Sequence, residues 1–275
     1  MTVYLIFLLV TSAIGLTVLI WWLATTEMGL KSLAPAVERP NFMPDYFPFA
    51  VILGWFLMTA TSSSVFENLA SGMLEWHEKF ALYSSFILIE AAVIGFIILS
   101  AKKYFRDGLY GFGLRLKGIF QDIAAGAAGF ITAYPLVNFS LYAVYYIGIF
   151  FVGPTFELDK NQGMVVILEY DEIALRILTI FFAVVLTPVF EELVFRGLLQ
   201  TYLRNLNYSP WVSIFITSAI FAILHPLTHF PAIFILSVTM GYAYEKSGSL
   251  LRPMFIHCFF NSTAIITALL TGGAT

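Results

Sequence analysis

Residues 173–196 read IALRILTIFFAVVLTPVFEELVFR. From Ile177 to Phe190 the run carries no charge, and it then meets Glu191, Glu192 and Arg196 before the apolar pattern fades near Asn205. A membrane-spanning helix needs about 20 mostly apolar residues. This stretch is therefore a span, and it brings three ionisable groups to one end of the apolar run.

Similar blocks lie on both sides of it. Towards the N-terminus they are Val3–Ala24, the segment between Asp45 and Glu67, Phe80–Ser100 with Glu90 inside it, and a long one from about Ile119 to Val152. Towards the C-terminus they are Pro210–Leu224, ending at His225-Pro226, then Phe230–Tyr244 and Pro253–Leu270. Eight helices and an all-α, polytopic integral membrane fold are expected. Residues 1–118 form an N-terminal set of spans and residues 119–275 a C-terminal bundle. The first block has no Lys or Arg before it and is too long for a secretory core, so it reads as a retained helix. In the fourth block Gly126, Gly129 and Pro135 suggest close packing and a kink.

Composition agrees. Of 275 residues, 60% are apolar and 11% charged, and mean hydropathy is +0.87. Soluble domains carry about 45–50% apolar and roughly 25% charged residues, so a water-soluble monomer is excluded. A net charge of −3 gives no reason to expect nucleic acid as a partner. The single cysteine, Cys258, builds neither an intrachain disulfide nor a multi-thiolate metal site. Basic residues collect between Lys102 and Lys117, and again around Arg204, Lys246 and Arg252. The positive-inside tendency puts these connectors in the cytoplasm. Acidic connectors, with Glu75 and Glu78 and from Glu157 to Glu172, fall outside. Both termini then lie outside.

Ionisable groups inside apolar runs cost about 2.5–3.5 kcal/mol on insertion scales, so those present have a partner or a task. Glu191 and Glu192 are adjacent, and Arg196 lies one turn beyond Glu192, within pairing reach. Glu191, about 100° further round the helix, is left without that partner. An unpaired carboxylate in a confined apolar place suits a general base. The plainer reading is a charge cluster where a helix leaves the bilayer. His225 closes an uncharged stretch, and the plainer reading there is a helix end near water. His229 stands four residues on, but Pro226 occupies the place of the glutamate in an H-E-x-x-H zinc helix and disrupts the helix. His257 and Asn261 are spaced i,i+4 and share one helix face. The alternative for them is interhelical hydrogen bonding. Glu90 reads as a buried structural partner, with a proton relay as the alternative.

Together these residues make a hydrolytic set. Glu191 takes a proton from water that His225 positions, while His257 and Asn261 stabilise the oxyanion. No serine or cysteine nucleophile is required.

The ordered motifs E-E-x-x-x-R (Glu191–Arg196), F-x-x-x-H (Phe221–His225) and H-x-x-x-N (His257–Asn261) resemble those of the CPBP intramembrane proteases. That family includes the type II CAAX prenyl endopeptidases, or Ras-converting enzymes. The resemblance spans about Asp171 to Leu270. It implies an eight-helix fold with a cavity open to the cytosol, Glu191 and His225 as the water-activating pair, and His257 and Asn261 as the oxyanion site. It implies Glu192 and Arg196 as supports that orient Glu191 and hold the helix. It also implies a membrane-embedded or lipidated protein substrate. A zinc ion held by Glu191, His225 and His257 stays open as a cofactor. A non-enzymatic membrane scaffold or bacteriocin-immunity-type protein is the alternative function. A proton-coupled transporter is a third reading, but the chain shows no internal symmetry of the kind transporters carry.

Straight spans raise one difficulty. They leave on the order of 10 Å between Glu191, near the cytoplasmic end of its helix, and His225, near the outer end of the next. For the two to share a water, the Pro210–Leu224 helix must start deep, tilt, or stop in mid-membrane.

Overall fold

The computed structural model describes residues 2–34, 36–69 and 72–271. It contains eight principal helices: α1 (Thr2–Thr25), α2 (Phe47–Leu69), α3 (Glu75–Tyr104), α4 (Ile119–Val152), α5 (Ile173–Asn205), α6 (Pro210–Ile223), α7 (Phe230–Ser247) and α8 (Leu251–Thr271). Short helical pieces occupy Gly108–Phe112, Gln162–Glu169 and Leu227–His229, and an isolated bridge joins Asn41 to Phe105. Among the described residues there is no β-sheet. The fold is the polytopic all-α one expected, and the protein is an integral membrane protein.

Seven of the eight helices are long and apolar enough to cross a membrane, and α6 is the shorter one. It has 14 residues, hence a length of about 21 Å, against a hydrocarbon core of ~30 Å. Its start is firm: Pro210 occupies the first turn, and the Ser209 hydroxyl accepts from the Val212 N–H. Its end is set by Pro226, which cannot continue the hydrogen-bond ladder. The helix therefore stops short of a full span, one of the three arrangements the spacing of Glu191 and His225 demanded.

α4 is the central post. It packs against α1, α7 and α8. Glycines permit the close approaches: a Cβ on Gly126 would lie 2.6 Å from Phe255 Cβ, one on Gly129 2.8 Å from Ile256 Cδ1, and one on Gly15 of α1 2.2 Å from the Ile131 carbonyl oxygen. The close packing expected at Gly126 and Gly129 is thus present. α2 and α3 close the other side against α5. The main apolar core joins Phe47, Val51 and Ile97 to Phe190, Leu193, Met240 and Ile256, and a smaller one gathers Tyr83, Val166 and Leu175.

Polar contacts gather the connectors at two ends. At one, Arg115 donates to the Ser247 carbonyl (2.8 Å), Lys246 to the Ser32 carbonyl (2.7 Å), and Arg252 pairs with Asp122 (2.6 Å). At the other, Tyr170 bonds Glu75, and the Thr228 hydroxyl bonds Asp159 (2.5 Å). The basic connectors thus share one end of the bundle and the acidic ones the other.

α5 is not a uniform helix. Ile173–Phe181 is α-helical, Phe182–Leu186 π-helical, Thr187–Glu192 α-helical, Leu193–Gln200 π-helical and Thr201–Asn205 α-helical. Wide turns of this kind are rare and concentrate at functional sites. Here they flank the turn that carries both glutamates. Pro188 accounts for the first: it has no N–H to give and its ring crowds the preceding turn, and the wider turn relieves that crowding.

Candidate active site

Glu191 and Glu192 leave α5 in different directions, as a step of about 100° per residue requires. Glu192 is fully buried. Its Oε2 lies 3.0 Å from Arg196 Nε, the one-turn pair that the spacing predicted. Arg196, also fully buried, donates from Nη2 to the Ser237 hydroxyl on α7 (3.0 Å) and lies over the Phe221 ring at 5.3 Å. The second Glu192 oxygen, Oε1, lies 3.2 Å from His257 Nδ1 on α8. Glu192 therefore orients His257. Its contacts run to Arg196 and to that imidazole, whereas the sequence assigned it to orienting Glu191.

Glu191 is the more open of the two, with its side chain 15% exposed. It lines a cavity of about 120 Å³. Ile52, Trp55 and Phe56 of α2 form one wall, Phe190, Val194 and Phe195 of α5 another, and Leu224 and His225 the end. Glu191 and His225 thus share one small cavity: α5 continues past Glu191 to Asn205, about 21 Å, and His225 stands about 22 Å from the start of α6 at Pro210, so the two reach the same depth. His225 Nδ1 lies 2.8 Å from the Phe221 carbonyl oxygen. A carbonyl only accepts, so Nδ1 holds a proton and Nε2 is left for another partner.

His257 Nε2 lies 3.7 Å from Glu191 Oε2. The imidazole thus stands between two carboxylates, one at each nitrogen, and edge-on to Phe221 at 6.0 Å between centroids. Asn261 sits one turn further along α8 and donates its amide to the Ala183 carbonyl at 2.8 Å. The structure brings Glu191, His225 and His257 together, holds Glu192 and Arg196 behind His257, and fixes Asn261 to the first wide turn of α5.

Glu90 of α3 is buried and accepts from the Thr187 hydroxyl at 3.1 Å, a structural partnership one turn before Glu191. The α2 wall was missed from sequence. Ile52, Trp55 and Phe56 sit in an ordinary apolar run, and nothing in their spacing marks them.

Zinc finds no suitable donor set. Among the described residues no three His, Cys, Asp or Glu side chains are grouped to hold a metal ion. Glu191, His225 and His257 do not form a metal site here.

Residues 173–263, from the start of α5 into α8, match the family model for type II CAAX prenyl endopeptidase Rce1-like proteins. The chain is also 29% identical over 120 residues to an uncharacterized 24.3 kDa protein of Escherichia coli. That match covers 42% of this chain and 55% of the relative, so the chain spans about half the length of the curated relative it matches. No solved structure matches.

Proposed function

With the family match over residues 173–263 as premise, we infer that this protein is an intramembrane endopeptidase. It hydrolyses a peptide bond in a membrane-associated or prenylated, CAAX-type protein. The observation that carries the reading is the convergence of Glu191 and His225 on one small cavity, with His257 3.7 Å from Glu191.

Glu191 is the general base. A water in the cavity gives one proton to its carboxylate and donates its other hydrogen to His225 Nε2. The water oxygen attacks the scissile carbonyl carbon, and the carbonyl electron pair moves to oxygen. His257 is the oxyanion donor. Its Nδ1 is fixed by Glu192, which directs Nε2 towards the site. Nδ1 donates to Glu192 and Nε2 to the oxyanion. Asn261 supplies the second donor from the amide proton it does not spend on Ala183. Collapse restores the carbonyl and breaks the C–N bond, and the leaving amine takes the proton from Glu191. One water is consumed for each bond cleaved.

Size limits what enters. Pockets for drug-sized ligands measure about 300–1,000 Å³, so 120 Å³ accommodates the reacting peptide unit and its water. A prenyl chain lies outside the cavity, against bilayer-facing helix surfaces. Residues 119–275 act as the catalytic bundle, and α2 of the N-terminal part supplies one wall. The basic end of the bundle faces the cytoplasm of a cell membrane.

The test is cleavage of a fluorogenic farnesylated CAAX peptide by purified protein in lipid nanodiscs. Wild type should cleave, and Glu191→Gln, which keeps the shape and removes the base, should lose about 10²–10⁴-fold in kcat. Equal rates in the two proteins would remove Glu191 from the mechanism.

A further inference from the structure

We propose that the buried polar seam between α5, α6 and α7 holds a file of water molecules, running from Glu192 behind the active site to Arg204 at the basic end of the bundle. The purpose assigned to this water, supplying hydrolysis, rests on the endopeptidase reading. Its presence does not.

Three stripes with one-turn spacing lie on helices that pack together here, α6 against both α7 and the Leu193–Gln200 turns of α5. α5 contributes Glu192, Arg196, Gln200 and Arg204; α7 contributes Ser237, Gly241 and Glu245; α6 contributes Ser213 and Thr217, with Ser218 beside them. Apart from Arg204, every polar side chain among them is fully buried. Cross-links tie α5 to α7: Arg196 to Ser237 (3.0 Å), Gln200 Nε2 to Glu245 (2.9 Å) and to the Gly241 carbonyl (3.2 Å), and Arg204 to Glu245 (3.7 Å). The Arg204 side chain is 25% exposed, so the seam reaches solvent there.

The cross-links leave atoms over. Arg196 Nη1, Gln200 Oε1 and the hydroxyls of Ser213, Thr217 and Ser218 are buried and have no hydrogen-bond partner. Buried polar atoms without partners destabilise a fold, and in proteins such atoms are commonly met by internal water. The α6 hydroxyls are also unlike their counterparts elsewhere in the bundle. Thr59, Ser84, Thr132, Thr239, Ser262 and Thr263 each satisfy themselves on the carbonyl one turn back in their own helix. Ser213, Thr217 and Ser218 make no such bond. Their hydroxyls remain available to a mobile partner. A water that bonds two groups at about 2.8 Å each spans about 5.6 Å, close to the 5.4 Å rise of one helical turn. Glu192 and Arg196 touch directly; beyond them one water per turn joins successive members of a stripe, and from Glu192 to Arg204 the line is about 18 Å long.

The cavity itself is walled by apolar side chains except at Glu191 and His225. An apolar substrate seated against it closes that side to water, while each turnover consumes one. The seam ends behind the site at the Glu192–His257 contact, and none of its residues lines the cavity.

Radiolytic hydroxyl-radical labelling with mass spectrometry tests this on the full-length protein in phosphatidylcholine nanodiscs. Radicals form from water beside the side chain they modify. Ile214 lines the seam, its Cγ2 lying 3.1 Å from where a Cβ on Gly241 would stand, and it is fully buried. Ile97 of α3 is equally buried but outside the seam. The expected result is labelling of Ile214 many times faster than of Ile97, falling several-fold in Thr217→Val/Ser218→Ala. Equal labelling of the two isoleucines in the folded wild type overturns the proposal. Should the double variant fail to fold, Ser213→Ala gives the same comparison. In the peptide-cleavage assay the water-depleted variant should lose kcat several-fold with KM unchanged. Labelling requires no substrate, so a seam that labels in a protein that cleaves nothing would sink the endopeptidase reading and leave the seam standing.

Discussion

Asn261 donates its side-chain amide to the Ala183 carbonyl at 2.8 Å, and that carbonyl is the one Pro188 cannot serve. In the wide turn Phe182–Leu186 the Thr187 N–H meets the Phe182 carbonyl, five residues back. The next pair would be Pro188 and Ala183, and proline has no N–H. Asn261 supplies the missing donor from another helix. One amide proton is therefore structural, and the proposed mechanism draws on the other.

The two roles separate by mutation. Asn261→Ala leaves a carbonyl unpaired, at a cost of about 1–3 kcal/mol, and in the proposed mechanism also removes an oxyanion donor worth about 10²–10³ in kcat. Pro188→Ala restores an N–H beside Ala183. The double variant Asn261→Ala/Pro188→Ala should recover thermal stability towards wild type and none of the lost rate. Recovery of both would make Asn261 purely structural.

Glu192 and Arg196 form a fully buried pair. Removing one partner of such a pair typically costs about 3–5 kcal/mol, because the other charge is stranded, whereas removing both costs less. Denaturation of Glu192→Gln, Arg196→Met and the joint variant should show the joint variant more stable than either single one. Its activity should stay low, down about 10²-fold, since His257 Nδ1 has lost the carboxylate that orients it. A joint variant with wild-type kcat would remove Glu192 from the orientation of His257.

Much of this arrangement is legible in the sequence because it is local. The Glu192–Arg196 pair follows from one-turn spacing, and the eight apolar blocks follow from bilayer thickness. Gly126 and Gly129 announce a close helix approach that the structure realises against α8. What is not legible depends on the register between helices. The i,i+4 rule puts His257 and Asn261 on one face but does not say that one meets Glu192 and the other Ala183. The seam residues Ser213, Thr217 and Gln200 each look like ordinary polar substitutions in an apolar helix. Only the juxtaposition of α5, α6 and α7 makes a line of them. The separation of Glu191 and His225 is the instructive case. Placing Glu191 at the cytoplasmic end of its helix put them about 10 Å apart, and the continuation of α5 past Glu191 to Asn205 resolves it.

Chelators should leave the rate unchanged. Among the described residues Glu191, His225 and His257 are not grouped to hold a metal ion. Cleavage should therefore survive EDTA and 1,10-phenanthroline at concentrations that strip zinc from catalytic sites. Loss of activity with chelator and its return with zinc would assign Glu191 to a metal rather than to a proton.

Trp55 tests whether the N-terminal helices take part in recognition. It lies on α2, outside the matched residues 173–263, yet it lines the cavity beside Glu191. Its ring packs on Phe190 with centroids 5.0 Å apart, and its indole nitrogen is buried without a hydrogen-bond partner. An aromatic wall with a spare donor suits a peptide that presents both an apolar side chain and a carbonyl. Trp55→Phe keeps the packing and deletes the donor, whereas Trp55→Ala deletes both. If α2 binds substrate, Trp55→Phe should raise KM with kcat little changed. Trp55→Ala should raise KM further and admit substrates with bulkier residues at the cleavage site. Loss of uniform binding moves KM, and loss of an interaction made only in the transition state moves kcat. A fall in kcat alone would move Trp55 from recognition to the chemical step.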